Sequence, residues 1–303
     1  MTFLGTAASV PTVERSLPAV LVQRGNEQFL FDCGEGAQRQ IIKAKTGLHR
    51  KLKIFVSHMH GDHVLGLPGL LQTMALMNRQ RRVDVYAPVG MRQFLEGTRE
   101  VLQFGLTFPV EIHEITSAGV VCSEEEYVVE AAWSNHTVPS LAYAFVEKPR
   151  AGKFYPAKAK ALGVPEGELW SKLQRGESVT LEDGNVVLPE AVLGGLRRGR
   201  KIVYSGDTEP FEGFAGFAAG ADLLVHEATL DDALAEKAAV DGHSTASQAA
   251  QAAAEAKVKR LVLTHISARY ADATVLLEQA KKVFRDTVVA EDFMRLELPL
   301  PNS

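Results

Sequence analysis

Ile54-Phe55-Val56-Ser57-His58-Met59-His60-Gly61-Asp62-His63 packs three histidines and an aspartate into six positions, directly behind an apolar, β-branched run. A short run of that composition reads as a buried strand. Gly66-Leu67-Pro68-Gly69-Leu70-Leu71, just downstream, reads as the opening of a helix. The cluster therefore falls where a strand gives way to a helix, and loops at strand ends are where α/β folds carry chemistry. Imidazole and carboxylate groups suit Zn²⁺ and related divalent ions. The spacing suggests two ions rather than one, because in a turn His58 and His60 can point one way while Asp62 and His63 point another. Each ion is then short of ligands, and the rest of the chain must supply them.

The His-x-His-x-Asp-His signature resembles that of the metallo-β-lactamase superfamily. The resemblance implies an α/β fold, a four-layer αβ/βα sandwich with a binuclear site at the sheet edges. The motif alone does not separate lactamases, thioesterases, phosphodiesterases and nucleases.

Bulk properties agree with one such sandwich. The chain has 303 residues, and 46% are hydrophobic, enough for a sizeable core. No apolar run reaches the ~18–20 residues that span a bilayer, and Met1-Thr2-Phe3-Leu4-Gly5-Thr6 lacks the regions of a signal peptide. No membrane partner and a cytoplasmic location are therefore expected. Cys33 and Cys122 are the only cysteines, too few for a disulfide framework, and read as reduced and structural. The net charge of −4 does not advertise nucleic-acid binding. Its distribution says more: residues 148–201 carry a net +5 and the remainder −9. A basic segment on an acidic body can still contact phosphates.

Along the chain, Phe3-Leu4-Gly5-Thr6 reads as a first strand and turn, and 17–23 with 28–32 as a hairpin around Gly25-Asn26. Asp32-Cys33-Gly34-Glu35-Gly36 follows as a Gly-rich turn opening a helix to about Lys45. Helices are predicted over 67–78, 90–104, 244–257 and 274–284, with Ser244 or Thr245 as a cap. Strands are predicted over 83–87, 110–115, 127–133, 141–146, 201–205, 222–225, 260–264 and 288–290. Polar residues recur just past strand ends, at His58, His136, Asp207, His226 and His265, and those ends must converge for ligands to meet. Residues 150–200 break the pattern. Two short helices, 156–162 and 166–175, and a hairpin around Asp183-Gly184 read as an insertion projecting from the sandwich. Phe154, Tyr155, Leu162, Leu169, Trp170 and Leu173 are too many apolar side chains for a solvated linker.

The set Phe31-Asp32-Cys33-Gly34-Glu35-Gly36, the 58–63 cluster, Asn135-His136, Ser205-Gly206-Asp207-Thr208, His226-Glu227-Ala228-Thr229, His243-Ser244-Thr245 and Thr264-His265 resembles the ribonuclease Z family along nearly the whole chain. Pro156-Ala157-Lys158, Leu162-Gly163-Val164-Pro165 and Gly167 resemble the flexible arm of its short-form members, which grips the tRNA elbow. The match implies a single metallo-β-lactamase-fold domain over 1–303, with 150–200 as an inserted tRNA-binding arm. Carried over position by position, His58, His60 and His136 hold a first ion, Asp62, His63 and His265 a second, and Asp207 bridges both. Two divalent ions per subunit are implied, Zn²⁺ foremost, with Mn²⁺ or Fe²⁺ also acceptable to these ligands. The resemblance implies Asp62 as the proton acceptor for the attacking water. It implies His243 as the proton donor to the leaving oxygen, oriented by Glu227.

The implied reaction is phosphodiester hydrolysis near the 3′ end of precursor tRNA, leaving a 3′-hydroxyl on the tRNA and a 5′-phosphate on the trailer. Lys153, Lys158, Lys160, Gly163, Pro165 and Gly167 are the implied arm contacts. Arg39, Lys43, Arg79, Arg81 and Arg82 are further RNA-facing candidates. A homodimer is implied, one subunit's arm presenting tRNA to the other's site. A small-molecule phosphodiesterase or thioesterase of the same superfamily is the alternative, although it has little need of residues 150–200. A non-catalytic partner subunit is disfavoured, because every expected ligand is present.

Overall fold

The computed structural model describes residues 1–301. The chain forms two compact units. One comprises residues 1–123, 128–145 and 201–298; the other comprises 124–127, 146–200 and 299–301.

The larger unit is built on two sheets. The first runs, edge to edge, through Thr2–Gly5, Ala19–Arg24, Glu27–Phe31, Lys51–Phe55, Val83–Pro88 and Val110–Ile115. The second runs through Thr287–Val289, Leu261–Thr264, Leu223–Glu227, Lys201–Tyr204, Ser140–Glu147, Tyr127–Ser134 and Gly119–Ser123. Their inner faces meet through aromatic rings. Phe55 lies edge-on to Tyr143 at 5.4 Å, Phe31 sits 5.6 Å from Tyr204, and Phe29 sits 4.7 Å from Phe145. Pairs of this kind each add about 0.5–1.5 kcal/mol beyond their buried area. Helices Ala37–Ala44, Gly66–Leu76 and Met91–Leu102 contribute buried faces to a core with the first sheet. Ala246–Glu255 turns Ala246, Ala249, Ala250 and Ala253 inward, so small side chains let it lie close against the Leu223–Glu227 and Leu261–Thr264 strands. The order helix, sheet, sheet, helix is the expected four-layer αβ/βα sandwich.

Both sheets aim chemistry at one edge. Strand Lys51–Phe55 delivers the 58–63 cluster, and Lys201–Tyr204, Leu223–Glu227 and Leu261–Thr264 deliver Asp207, Glu227 and His265. Two close approaches fix these loops. A Cβ on Gly66 would lie 1.8 Å from the Gly34 carbonyl oxygen, so the Gly-rich turn is pressed against the helix that follows the cluster. Gly206 combines a φ of +61° with a Cβ position 2.8 Å from the Ser57 Cβ, so only glycine fits between the two loops. Helix Ala246–Glu255 is capped by Thr245, not Ser244. Thr245 and Gln248 form a reciprocal capping box, while the Ser244 hydroxyl donates to the Thr208 carbonyl at 2.6 Å.

The smaller unit carries helices Pro156–Ala161, Glu168–Gln174 and Pro189–Val192, and a ladder of Val179–Thr180 with Val186–Val187. Ala159, Val164, Leu173, Val179, Val187 and Val192 form its core, with Phe154, Leu169 and Trp170 packed on it. Tyr155 and Leu162, read from sequence as part of that apolar set, are exposed. Among the described residues, no helix is long and apolar enough to cross a membrane.

Candidate metal centre

Within the larger unit, His58, His60 and His136 bring ligand atoms together, and so do His58, His63 and Asp207, and Asp62, His63 and His265. The groups share members, so all seven residues line one centre. Asp207 sits in the middle. Its Oδ2 lies 3.7 Å from His58 Nε2, 3.3 Å from His63 Nε2 and 3.2 Å from His265 Nε2. Asp62 Oδ2 lies 3.5 Å from both His63 Nε2 and His265 Nε2, and accepts from the Ser9 amide at 2.9 Å.

The outer nitrogens of four imidazoles are each committed elsewhere. His63 Nδ1 donates to Asp32 at 2.7 Å, and His136 Nδ1 donates to the Gly242 carbonyl at 2.7 Å. His58 Nδ1 donates to Ser57 Oγ at 2.9 Å, and that hydroxyl donates in turn to Asp32. His265 Nδ1 donates to Thr229 Oγ1 at 2.9 Å, and that hydroxyl donates to Glu227 at 2.7 Å. These bonds fix the tautomers, so four Nε2 lone pairs face inward. His60 turns Nδ1 into the cluster, 3.0 Å from His58 Nε2 and 3.3 Å from His136 Nε2.

This arrangement fits divalent cations. Among the described residues, His63 Nε2 and His265 Nε2 are buried without a hydrogen-bond partner, and lone pairs aimed at one another and at a carboxylate need a positive charge between them. Burial, together with the neighbouring His63, holds the His58 pKa well below its ordinary value, in the neutral form a ligand needs. Burial would raise the Asp207 pKa, but the surrounding histidines outweigh it and keep the carboxylate ionised.

Asp32, which sequence reasoning left outside the site, ties much of this together. It is fully buried and accepts from Ser57 N at 2.6 Å, Ser57 Oγ at 2.9 Å, Tyr204 Oη at 2.6 Å and His63 Nδ1. The available signal was its place at a strand end two residues before Gly34.

Beside the cluster, His243 Nδ1 donates to Glu227 Oε1 at 2.8 Å, leaving Nε2 free. Burial lowers the His243 pKa, but Glu227 and then Asp207 overcome it and carry the group up to about 9. Glu227 also accepts from the Thr208 amide, and its own amide donates to Ser205 Oγ. His226 is buried beneath, with Nδ1–H donated to the Glu227 carbonyl. His113 pairs with Asp84 and stacks on Tyr86, away from this cluster.

The cationic candidates divide. Lys153, Lys158 and Lys160, with Gly163, Pro165 and Gly167, are exposed on the smaller unit, where Lys158 lies over Tyr155 and Lys160 over Trp170. Arg39, Lys43, Arg81 and Arg82 are exposed on the larger unit. Arg79 is not RNA-facing: it is 1% exposed, and its guanidinium donates to the carbonyls of Leu48, Arg50, Arg81 and Arg82. Four carbonyls satisfy a buried guanidinium, so this arginine clamps loops together.

A sandwich of this topology, with a histidine–aspartate centre fit for two divalent ions, defines a metal-dependent hydrolase of the metallo-β-lactamase fold. A beta-lactamase superfamily domain matches residues 170–266, and a family described as anti-Pycsar protein Apyc1 matches residues 1–118. The fold is shared with the metallo-beta-lactamase fold protein YhfI from Bacillus subtilis, at a TM-score of 0.68 and 17% identity over 97% of both chains. A ribonuclease Z of Methanosarcina acetivorans is 49% identical over 99% of this chain and 98% of that protein. The crystal structure of human tRNase Z, short form, superposes with a TM-score of 0.73 and 33% identity over 98% of both chains. The chain belongs to the ribonuclease Z family.

Proposed function

We infer that this protein is a metal-dependent endoribonuclease that removes the 3′ trailer from precursor tRNA. The observation that carries the reading is the convergence of seven ligand side chains on one centre, in a chain half identical to a ribonuclease Z along its length. His58, His60 and His136 are assigned to one ion, Asp62, His63 and His265 to the other, and Asp207 to both. When bound, two such ions supply Lewis acidity to the phosphodiester and favour deprotonation of water near neutral pH. Zn²⁺ is proposed because imidazole dominates the ligand set.

Asp62 orients the attacking water and accepts its proton, a role supported by the Ser9 amide that fixes its carboxylate. Water adds to phosphorus, and the bond to the tRNA 3′ oxygen breaks. His243, kept protonated through neutrality by Glu227, gives its Nε2 proton to that oxygen. The products are a 3′-hydroxyl on the tRNA and a 5′-phosphate on the trailer. Lys153, Lys158 and Lys160 are proposed to grip the tRNA, Gly163, Pro165 and Gly167 shaping the surface they stand on. Contacts of this kind read RNA shape and give salt-sensitive affinity. We further propose a homodimer, one subunit's arm serving the other's site, and a cytoplasmic setting in keeping with two buried cysteines that form no disulfide.

The test is incubation with 3′-extended precursor tRNA and Zn²⁺ or Mn²⁺, with Asp207→Ala alongside. One cut near the discriminator base, absent in the variant, is expected. Turnover of a small ester with intact RNA would replace this reading with a small-molecule hydrolase.

A further inference from the structure

A cavity of about 460 Å³ opens beside the centre, and the proposed reaction does not use it. Its walls are the 208–215 loop, His226 at the end of strand Leu223–Glu227, and one face of helix Ala246–Glu255. Three glutamates line it, Glu209, Glu212 and Glu255, and no lysine or arginine does. Glu209 accepts from Asn135, and Glu255 accepts from Gln251. Glu212 is exposed and has no ion pair or hydrogen bond among the described residues.

The floor carries an independent sign of a ligand. His226 is 3% exposed and lines the cavity. Its Nδ1–H is committed to the Glu227 carbonyl at 2.7 Å, so Nε2 bears a lone pair, and that atom has no partner among the described residues. Phe214 meets the His226 ring edge-to-face at 5.2 Å, and Phe211 meets Phe214 at 5.4 Å.

A lone pair on a nearly buried imidazole, two aromatic rings and a carboxylate rim select for a ligand rich in N–H and positive in charge. They select against phosphate. A second cavity, lined by His243, Arg269, Asp241 and a Lys237 that pairs with Asp241 at 2.7 Å, carries cations that the glutamate-lined cavity lacks, so the anionic substrate is not drawn to the glutamates. We propose that the glutamate-lined cavity binds an aliphatic diamine. One ammonium donates to His226 Nε2 against the Phe211 and Phe214 rings, and the other lies at Glu212 and Glu255. A volume of this size holds a small molecule of that length.

The probe is 1,4-diaminobutane, titrated calorimetrically into the full-length, metal-loaded protein without RNA at low ionic strength. The uncharged 1,4-butanediol serves as control. Saturable one-to-one binding of the diamine, with a silent diol, is expected. A Glu212→Gln, Glu255→Gln double variant should bind about fivefold more weakly, as expected for the loss of two solvent-facing charge pairs. Both positions are exposed, and an unchanged melting temperature verifies the fold. Equal affinity in the double variant would overturn the proposal, because it would mean chelation at the metal centre or adventitious binding. So would no diamine binding. Because no RNA is present, any of these outcomes leaves the ribonuclease reading standing.

Discussion

Asp32 adopts φ 58°, a left-handed conformation that L side chains other than Asn and Asp seldom visit, and from it one carboxylate serves Ser57, Tyr204 and His63. An amide in its place keeps one acceptor oxygen but turns an N–H₂ towards at least one donor. Asp32→Asn should therefore lower metal occupancy and precursor-tRNA cleavage by about 10–100-fold, the usual cost of losing a partner behind a metal-bound histidine. Metal analysis of the purified variant, read beside its turnover, checks this; wild-type occupancy would count against it. Glu227 acts on protonation. With the carboxylate present, His243 stays protonated up to about 9, so activity that needs this proton declines as pH rises through that value. In Glu227→Gln, burial acts with less opposition, so the alkaline limb of kcat/KM should move to lower pH with metal content unchanged. An unmoved limb would remove His243 from the proton-donor role. The 58–63 cluster was legible because its ligands are crowded into one turn. Asp32 was not, because its four donors come from two distant segments, 57–63 and Tyr204, that only the folded chain brings to it. Arg79 was misread for the same reason, since no local pattern tells a charge buried under four carbonyls from one facing RNA.

At the scale of elements, the strands that deliver ligands were readable, since Val, Ile and Leu runs ending in His or Asp survive any context. Gly119–Ser123 was not predicted. It is a largely exposed edge strand without alternation, held by its pairing to Tyr127–Ser134. The short helices Phe214–Ala218 and Ala235–Asp241 also went unread, because one or two turns are too few to establish a period. The capping box was half-read, since both Ser244 and Thr245 can cap and only the fold commits Ser244 to Thr208. Thr245→Ala leaves the Gln248 amide, in the first turn of Ala246–Glu255, without its side-chain acceptor. We expect a loss of about 0.5–2 kcal/mol in denaturant unfolding. Cleavage should fall by more than stability alone explains, because His243 lies two residues upstream. Gly66→Ala is harsher. Its methyl would sit 1.8 Å from the Gly34 carbonyl oxygen, so one of two backbone segments beside the metal cluster must move. Low recovery of folded protein is expected, and a variant with native melting would show that the contact can relax.

For the molecule as a whole, the division of labour follows the division of charge. Residues 148–201 hold a net +5, while every proposed metal ligand and both His243 and Glu227 lie in the larger unit. The smaller unit has its own core around Leu173 and Val192, so it forms a folded module, and its lysines at 153, 158 and 160 are exposed. If it acts only by holding RNA, then chemistry and affinity should separate on its removal. Replacing residues 150–200 with a short Gly-Ser linker should leave hydrolysis of a small phosphodiester within a few-fold of wild type. Precursor-tRNA cleavage should collapse, chiefly through KM. Lysine–phosphate contacts release counterions, so the deficit should be largest at low salt and narrow as salt rises, with a shallower slope of log affinity against log salt in the shortened protein. Loss of both activities together, with metal still bound, would mean that residues 150–200 shape the catalytic centre itself, and the arm could not then be regarded as a tether for RNA alone.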